Sequence, residues 1–316
     1  MKKEIPIFFT IDDAYAPYAD CAIRSIKENS SKEYNYKIYI LHQGLKEKNI
    51  NILSKLSNDT FKISFKEVDG LDDITDREEN KLRCDYFTLT IYFRLFIPIM
   101  FPEYDKAIYI DSDVVVPGDI SKLYNLELGN NLIGASTDHS IQHIPELINY
   151  VENAIGVNKK EYINSGVLLM NLKLMREKCF STEFLKLLNK FHFDVVAPDQ
   201  DYLNAMCNGK ILYLDECWDA MPNDSKPALK NPELIHYNLF QKPWCYDNIQ
   251  YEDYFWEYAK DSKYYNEILN FKNNYSDEQK ESDKKSLETL VVKANGLPNT
   301  ENTFKKRYES GEKIRL

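Results

Sequence analysis

Residues 107–116 read Ala-Ile-Tyr-Ile-Asp-Ser-Asp-Val-Val-Val: four apolar residues run straight into two acids, and three valines follow. A short unbroken apolar run is the pattern of a strand buried in a parallel sheet. An isolated charge withdrawn from water is very costly. Such a strand can end on two acids only if they are solvated or bound to a cation. Asp111 and Asp113 are two apart, and in a regular strand both carboxylates point to one face. Hard divalent ions such as Mg²⁺ or Mn²⁺ take oxygen ligands and bridge to substrate phosphates. The motif therefore points to a metal–diphosphate site at the carboxyl end of a sheet strand. A solvated turn is the alternative.

The segments before it set the fold class. Residues 5–11 are apolar and β-prone, and they stop at Asp12-Asp13. The run is short and contains Pro6, so it reads as a first strand and not as a signal peptide, despite Lys2-Lys3. Tyr18, Ala22, Ile23 and Ile26 then fall at helical spacing. Strands over 37–41 and 61–68, with a helix over 45–56 between them, complete a β-α-β-α-β series. The fold class is α/β with a mostly parallel sheet. The loop after the first strand holds acids and a tyrosine instead of glycines, which excludes a P-loop and a dinucleotide fingerprint. Ligands of open α/β sheets lie beyond the carboxyl ends of the strands. Asp12 and Tyr15 are thus placed to hold a base or ribose; capping of the next helix is the alternative for Asp12-Asp13.

Further along, residues 69–80 are acidic and read as a surface loop. Residues 89–97 read as an apolar helix that Pro98 ends. Arg94 inside it needs a partner if buried, and a carboxylate near Asp111 is one candidate. Strands are expected over 132–137, ending at Asp138, over 162–172 with a polar entry, and over 211–214. Residues 141–155 read as a helix or irregular cover, and 182–191 as an amphipathic helix. Asp199, Gln200 and Asp201 open another helix. Two polar–aromatic segments, 218–223 and 235–244, follow.

Composition shifts near residue 271. From there on, ten Lys/Arg face eight Asp/Glu, a balance of +2, so the preceding 270 residues carry −12 of the net −10. Ser276 with Gln279 forms a capping box pattern. Leu287, Leu290, Val291 and Ala294 make a helical stripe that Gly296 and Pro298 end. The expected organisation is a catalytic domain over 1–270 and a helical tail over 271–316 that packs on it. The acidic net charge argues against nucleic acid as a partner. Six scattered cysteines without a Cys-x-x-Cys pair fit free thiols in a reducing compartment. No apolar stretch nears the roughly 20 residues of a membrane helix. The expectation is a soluble, cytoplasmic protein.

Taken in order, residues 9–15, 90–95, Asp111-Ser112-Asp113, 134–138, 164–169, Asp199-Gln200-Asp201 and 236–244 resemble glycosyltransferase family 8. That family includes bacterial lipooligosaccharide galactosyltransferases and glycogenin. The resemblance spans about residues 5–250 and implies a GT-A fold. It implies retaining transfer of galactose or glucose from a UDP-sugar, with Mn²⁺ (or Mg²⁺), to a glycan, glycolipid or glycoprotein acceptor. At most weak contact with the inner membrane face is expected. Asp111, Asp113 and His236 look like the metal ligands, and histidine favours Mn²⁺ over Mg²⁺. Thr10, Asp12, Tyr15 and Ser112 look like nucleotide contacts, and Lys242 like the diphosphate clamp. Arg94, Asp138, Asn164, Asp199 and Gln200 look like donor-sugar contacts. Asp199, Gln200 and Asp201 are the catalytic candidates. Gln200 is a poor nucleophile suited to stabilising a cationic sugar, and Asp201 is either a carboxylate at the reaction or a helix cap. Tyr86, Phe87, Met221, Pro222 and Asn223 fall in acceptor-side loops, and no acceptor is readable from them. Ala14 and Leu239 depart from the family, which often has Asn and Gly there. These departures leave room for a non-catalytic nucleotide-sugar-binding subunit.

Overall fold

The computed structural model describes residues 2–68 and 89–316. The loop expected over 69–80, together with Cys84, Tyr86 and Phe87, lies outside the described residues.

Nine strands occur among the described residues: β1 (Glu4–Thr10), β2 (Asn35–His42), β3 (Phe61–Glu67), β4 (Ala107–Ile110), β5 (Val114–Val115), β6 (Ile133–Ala135), β7 (Val167–Met170), β8 (Ile211–Tyr213) and β9 (Ile235–His236). Seven of them form one sheet in the order β3-β2-β1-β4-β7-β6-β8. β1 runs parallel to β2 and β4, and β2 to β3. β7 is antiparallel to both β4 and β6, and β6 is parallel to β8. The sheet is therefore mostly parallel with one reversed strand, flanked by helices. Its alternation is visible in β1: Ile5, Ile7 and Phe9 pack with Ala19, Ile23 and Ile26 of α1 (Ala16–Asn29) on one face. Phe8 joins Tyr109, Leu168 and Met170 on the other, as a period of two requires.

Three expectations are corrected. Residues 107–116 are not one strand. The sheet strand stops at Ile110, the chain breaks over 111–113, and β5 leaves to pair with β9, Val114 opposite His236. The acids thus sit in a bend rather than on one face of a ladder, and the small second sheet carries His236 to them. Pro98 does not end a helix. It lies in the first turn of Ile97–Met100, after a 3₁₀ segment Leu89–Leu95, because the first helical turn has no use for the missing N–H. Of the expected 162–172 strand only Val167–Met170 is continuous ladder; ahead of it Ile163 pairs with Thr137 in an isolated antiparallel bridge.

The helix Tyr265–Asn273 runs through the composition boundary at 270/271. Ser276 and Gln279 form the capping box of the helix Asp277–Gly296, which packs on the helix Pro145–Tyr150. Ala294, Leu297, Phe304 and Ile314 are buried in the same core as Phe193 and Tyr202. The Phe304 ring centre lies 3.9 Å from that of Phe193. Among the described residues, no helix is long and apolar enough to cross a membrane.

Candidate metal and nucleotide-sugar site

The bend after β4 brings Asp111 and Asp113 beside His236. Their ligand atoms lie within 4.8 Å of one another, and all three residues are buried. Asp113 Oδ1 faces His236 Nε2 at 3.4 Å and has no hydrogen-bond partner. His236 Nδ1 is 3.0 Å from Asp219 Oδ1. With Nδ1–H donated to that carboxylate, a cation that displaced the Nε2 proton would meet the Nε2 lone pair, the usual arrangement behind a metal-binding imidazole. Gly166 completes the cradle. A Cβ there would stand 2.3 Å from His236 Cε1 and 2.9 Å from Asp111 Oδ2, so only glycine fits. An unpartnered buried carboxylate oxygen, a second acid and an oriented imidazole fit a divalent cation.

The other atoms of the acids are held by the protein. Asp111 Oδ1 accepts from Arg94 Nη2 and from the Tyr109 hydroxyl, each at 2.7 Å. Asp113 Oδ2 accepts from Lys242 Nζ at 2.5 Å. Burial pushes Asp113 up, but Lys242 and His236 outweigh it and hold the carboxylate below its ordinary range. For His236, burial works downward; the Asp113 carboxylate, with Asp219 in support, overrides it and lifts the imidazole to about 10 in the metal-free protein.

Beyond the acids lies a cleft bordered by Arg94, Asn164, Asp199, Gln200 and Asn238. Arg94, only 2% exposed, ties it together. Its Nε lies 3.2 Å from Asp199 Oδ2, and its Nη1 donates to the Ser165 carbonyl at 2.7 Å. Asp138 Oδ2 accepts from Gln200 Nε2 at 2.9 Å and from Asn164 Nδ2 at 3.3 Å. Gln200 Oε1 in turn accepts from the Ser165 amide.

The expected residues are not all alike in what they face. Lys242 Nζ lies 5.9 Å from the Tyr15 ring centre, so those two share a neighbourhood. Ser112 is buried between the acids. Asp12 Oδ1 accepts from the amides of Ala14 and Tyr15 and shapes the turn into α1. The Thr10 hydroxyl is 2.7 Å from that of Tyr109. Asp201 stands apart from the cleft. Its carboxylate is fully buried and accepts from Tyr162, Tyr150 and the amides of Val196 and Ala197. Burial lifts it to about 6 against those hydrogen bonds. Tyr109, Ser165, Gly166 and Asp219 were not among the expected site residues. Of these, Gly166 alone carried a local signal, as the small residue ending the polar run Asn164-Ser165-Gly166.

Leu239, at the position where the family often has glycine, adopts φ 56°. That left-handed conformation costs a side-chain-bearing residue about 1–2 kcal/mol.

The fold is the GT-A fold, and with a buried Asp-Ser-Asp and histidine centre it defines a glycosyltransferase that builds its site at the end of a parallel strand. The sequence profile described as Glycosyl transferase family 8 matches residues 6–248, and the chain belongs to that family. A Haemophilus influenzae protein named provisionally as a glycosyltransferase is 30% identical over 230 residues, 72% of this chain and 67% of its own. The lipopolysaccharide 1,2-glucosyltransferase of Escherichia coli is 26% identical over 201 residues, 54% of this chain and 56% of its own. Among solved structures, the galactosyltransferase LgtC, in complex with donor and acceptor sugar analogs, superposes with a TM-score of 0.70. It is 25% identical, and the match covers 82% of this chain and 96% of LgtC.

Proposed function

We propose that this chain transfers galactose or glucose from a UDP-sugar to a glycan, glycolipid or glycoprotein acceptor, with retention at the anomeric carbon. The observation that carries the reading is the unpartnered Asp113 oxygen facing His236, with Lys242 against the same carboxylate. Asp111, Asp113 and His236 would hold Mn²⁺, or Mg²⁺, which supplies charge neutralisation for the leaving diphosphate. Tyr15, Asp12, Thr10 and Ser112 would contact the nucleotide. Lys242 offers its ammonium to phosphate oxygens as a point charge.

Arg94 locks Asp111 to Asp199, so the metal side and the sugar side of the cleft are preorganised together. Such fixed dipoles and charges cost no reorganisation when charge develops. Asp138 and the Ser165 amide orient the Gln200 amide, which is too weak a nucleophile to attack and instead stabilises an oxocarbenium-like sugar. Asp201 has its oxygens spent on four donors and positions the start of the helix Pro198–Cys207; Asp199 is the carboxylate left at the cleft. The tail over 271–316 acts as a wall of this catalytic unit. We assign the enzyme to the cytoplasm, with at most weak contact with the inner membrane face.

The test is a panel of UDP-sugars incubated with protein and Mn²⁺, with UDP release as the readout. Release from UDP-galactose or UDP-glucose, stopped by EDTA, is expected. Tight UDP binding without release from any donor would make the chain a non-catalytic binding subunit.

A further inference from the structure

A second cleft opens beside the donor-sugar cleft, and the two share Ala197, Gln200 and Asn238. At the shared end it is polar, with Asp138, Ser140 and Gln200. Away from that end its walls are aliphatic: Ile141, Ile144, Leu147 and Val151 on one side, Leu287 and Leu290 of the tail helix on the other. Tyr150 and Tyr162 also border it, but both hydroxyls donate to Asp201 and leave ring carbon for the cleft. Leu239 borders it too, in a left-handed conformation that glycine would adopt without strain. A strained residue at a cleft wall is a reason to ask what its side chain contacts there.

We propose that this cleft is the subsite for an apolar aglycone on the acceptor. The acceptor is then a glycoside whose sugar lies at the Asp138–Gln200 end and whose hydrocarbon chain runs between Ile144 and the Leu287–Leu290 stripe. The assignment rests on the transferase reading above and narrows its acceptor class. Hydrocarbon is favoured over peptide by the walls themselves. A peptide brings an N–H and a carbonyl at every residue, and aliphatic walls would leave those groups unpaired at a large cost. The tail helix, by supplying one wall, becomes a specificity element.

The test uses n-alkyl β-glucosides and β-galactosides, from methyl to octyl and below their micelle concentrations. They are titrated calorimetrically into full-length protein carrying UDP and Mn²⁺. Affinity should rise about three- to fourfold per methylene until the cleft is full. Leu287→Trp, which fills the cleft, should flatten that dependence and leave UDP affinity unchanged, and Leu239→Gly, which suits the local backbone, should flatten it too. Equal affinity for methyl and octyl glycosides, or a chain-length gain that survives in both variants, overturns the proposal. An equal gain with a leucine-flanked glycosyl-threonine peptide overturns the hydrocarbon assignment in favour of a protein acceptor. Failure of UDP itself to bind the wild-type protein overturns the transferase reading, and this subsite with it.

Discussion

Lys242 Nζ lies 2.5 Å from Asp113 Oδ2, while Oδ1 of the same carboxylate faces His236 Nε2 at 3.4 Å. One acid is thus shared between an ammonium and the position of a metal ligand set. In metal-free protein the lysine neutralises the acid; on the proposed reading its charge would serve the diphosphate once nucleotide is bound.

This sharing gives opposite signs for one substitution. Lys242→Met should raise Mn²⁺ affinity in the absence of nucleotide, because a competing cation is gone. It should lower UDP affinity in the presence of Mn²⁺ about tenfold or more, the worth of a charge-assisted hydrogen bond. Calorimetric titrations of each ligand read both. A fall in both affinities would mean that Lys242 supports the metal site instead of competing for it.

Asp219 holds the imidazole from behind at 3.0 Å. Asp219→Asn should weaken Mn²⁺ binding about 10- to 100-fold, the usual cost of losing such a support. The far-ultraviolet circular dichroism spectrum should not change. Unaltered metal affinity in a folded variant would remove Asp219 from the site.

Asp201 makes stability depend on pH. Its folded pKa, about 6, lies above the ordinary 3.8, so the folded chain binds that proton more tightly. The associated stability is fully present below the ordinary value and is lost as pH rises through about 6. Unfolding free energies from urea titrations between pH 4 and 7 should show a downward step on the order of 3 kcal/mol, absent in Asp201→Asn. A variant with the same pH profile as wild type would contradict this.

The tail is part of the core, so removing it should unfold the protein. Truncation after Asn274 strips Leu297, Phe304 and Ile314 from their buried positions. Each buried side chain of this size contributes about 1.5–3 kcal/mol, against a total stability of about 5–15 kcal/mol for a domain. Insoluble protein or a large fall in Tm is expected. A truncated chain with wild-type Tm would show the tail to be a separate appendage.

Local pattern made several elements readable: α1 by its helical apolar spacing, β1 and β4 by short apolar runs, and the helix Pro198–Cys207 by the acids that open it. The capping box at Ser276 was readable in the same way. What local pattern cannot reveal is pairing. β5 leaves the line of β4 because Val114 pairs with His236, far along the chain, and nothing near residue 111 records that. Asp219 supports His236 through a contact of the same long-range kind. Arg94 needed a partner, and the acids that supply one, Asp111 and Asp199, come from two distant segments. Leu239 was visible as a departure from the family, but the left-handed backbone that makes it costly appears only in three dimensions.

On the proposed reading, a divalent cation and the UDP diphosphate occupy one centre built on Asp111, Asp113 and His236. Calorimetric titration of UDP with Mn²⁺ present and with EDTA tests it most directly. Binding is predicted to be strong with Mn²⁺ and weak without, and linkage requires Mn²⁺ affinity to change with UDP by the same factor. Asp113→Asn should erase that coupling. UDP affinity that is identical with Mn²⁺ and with EDTA would contradict the account.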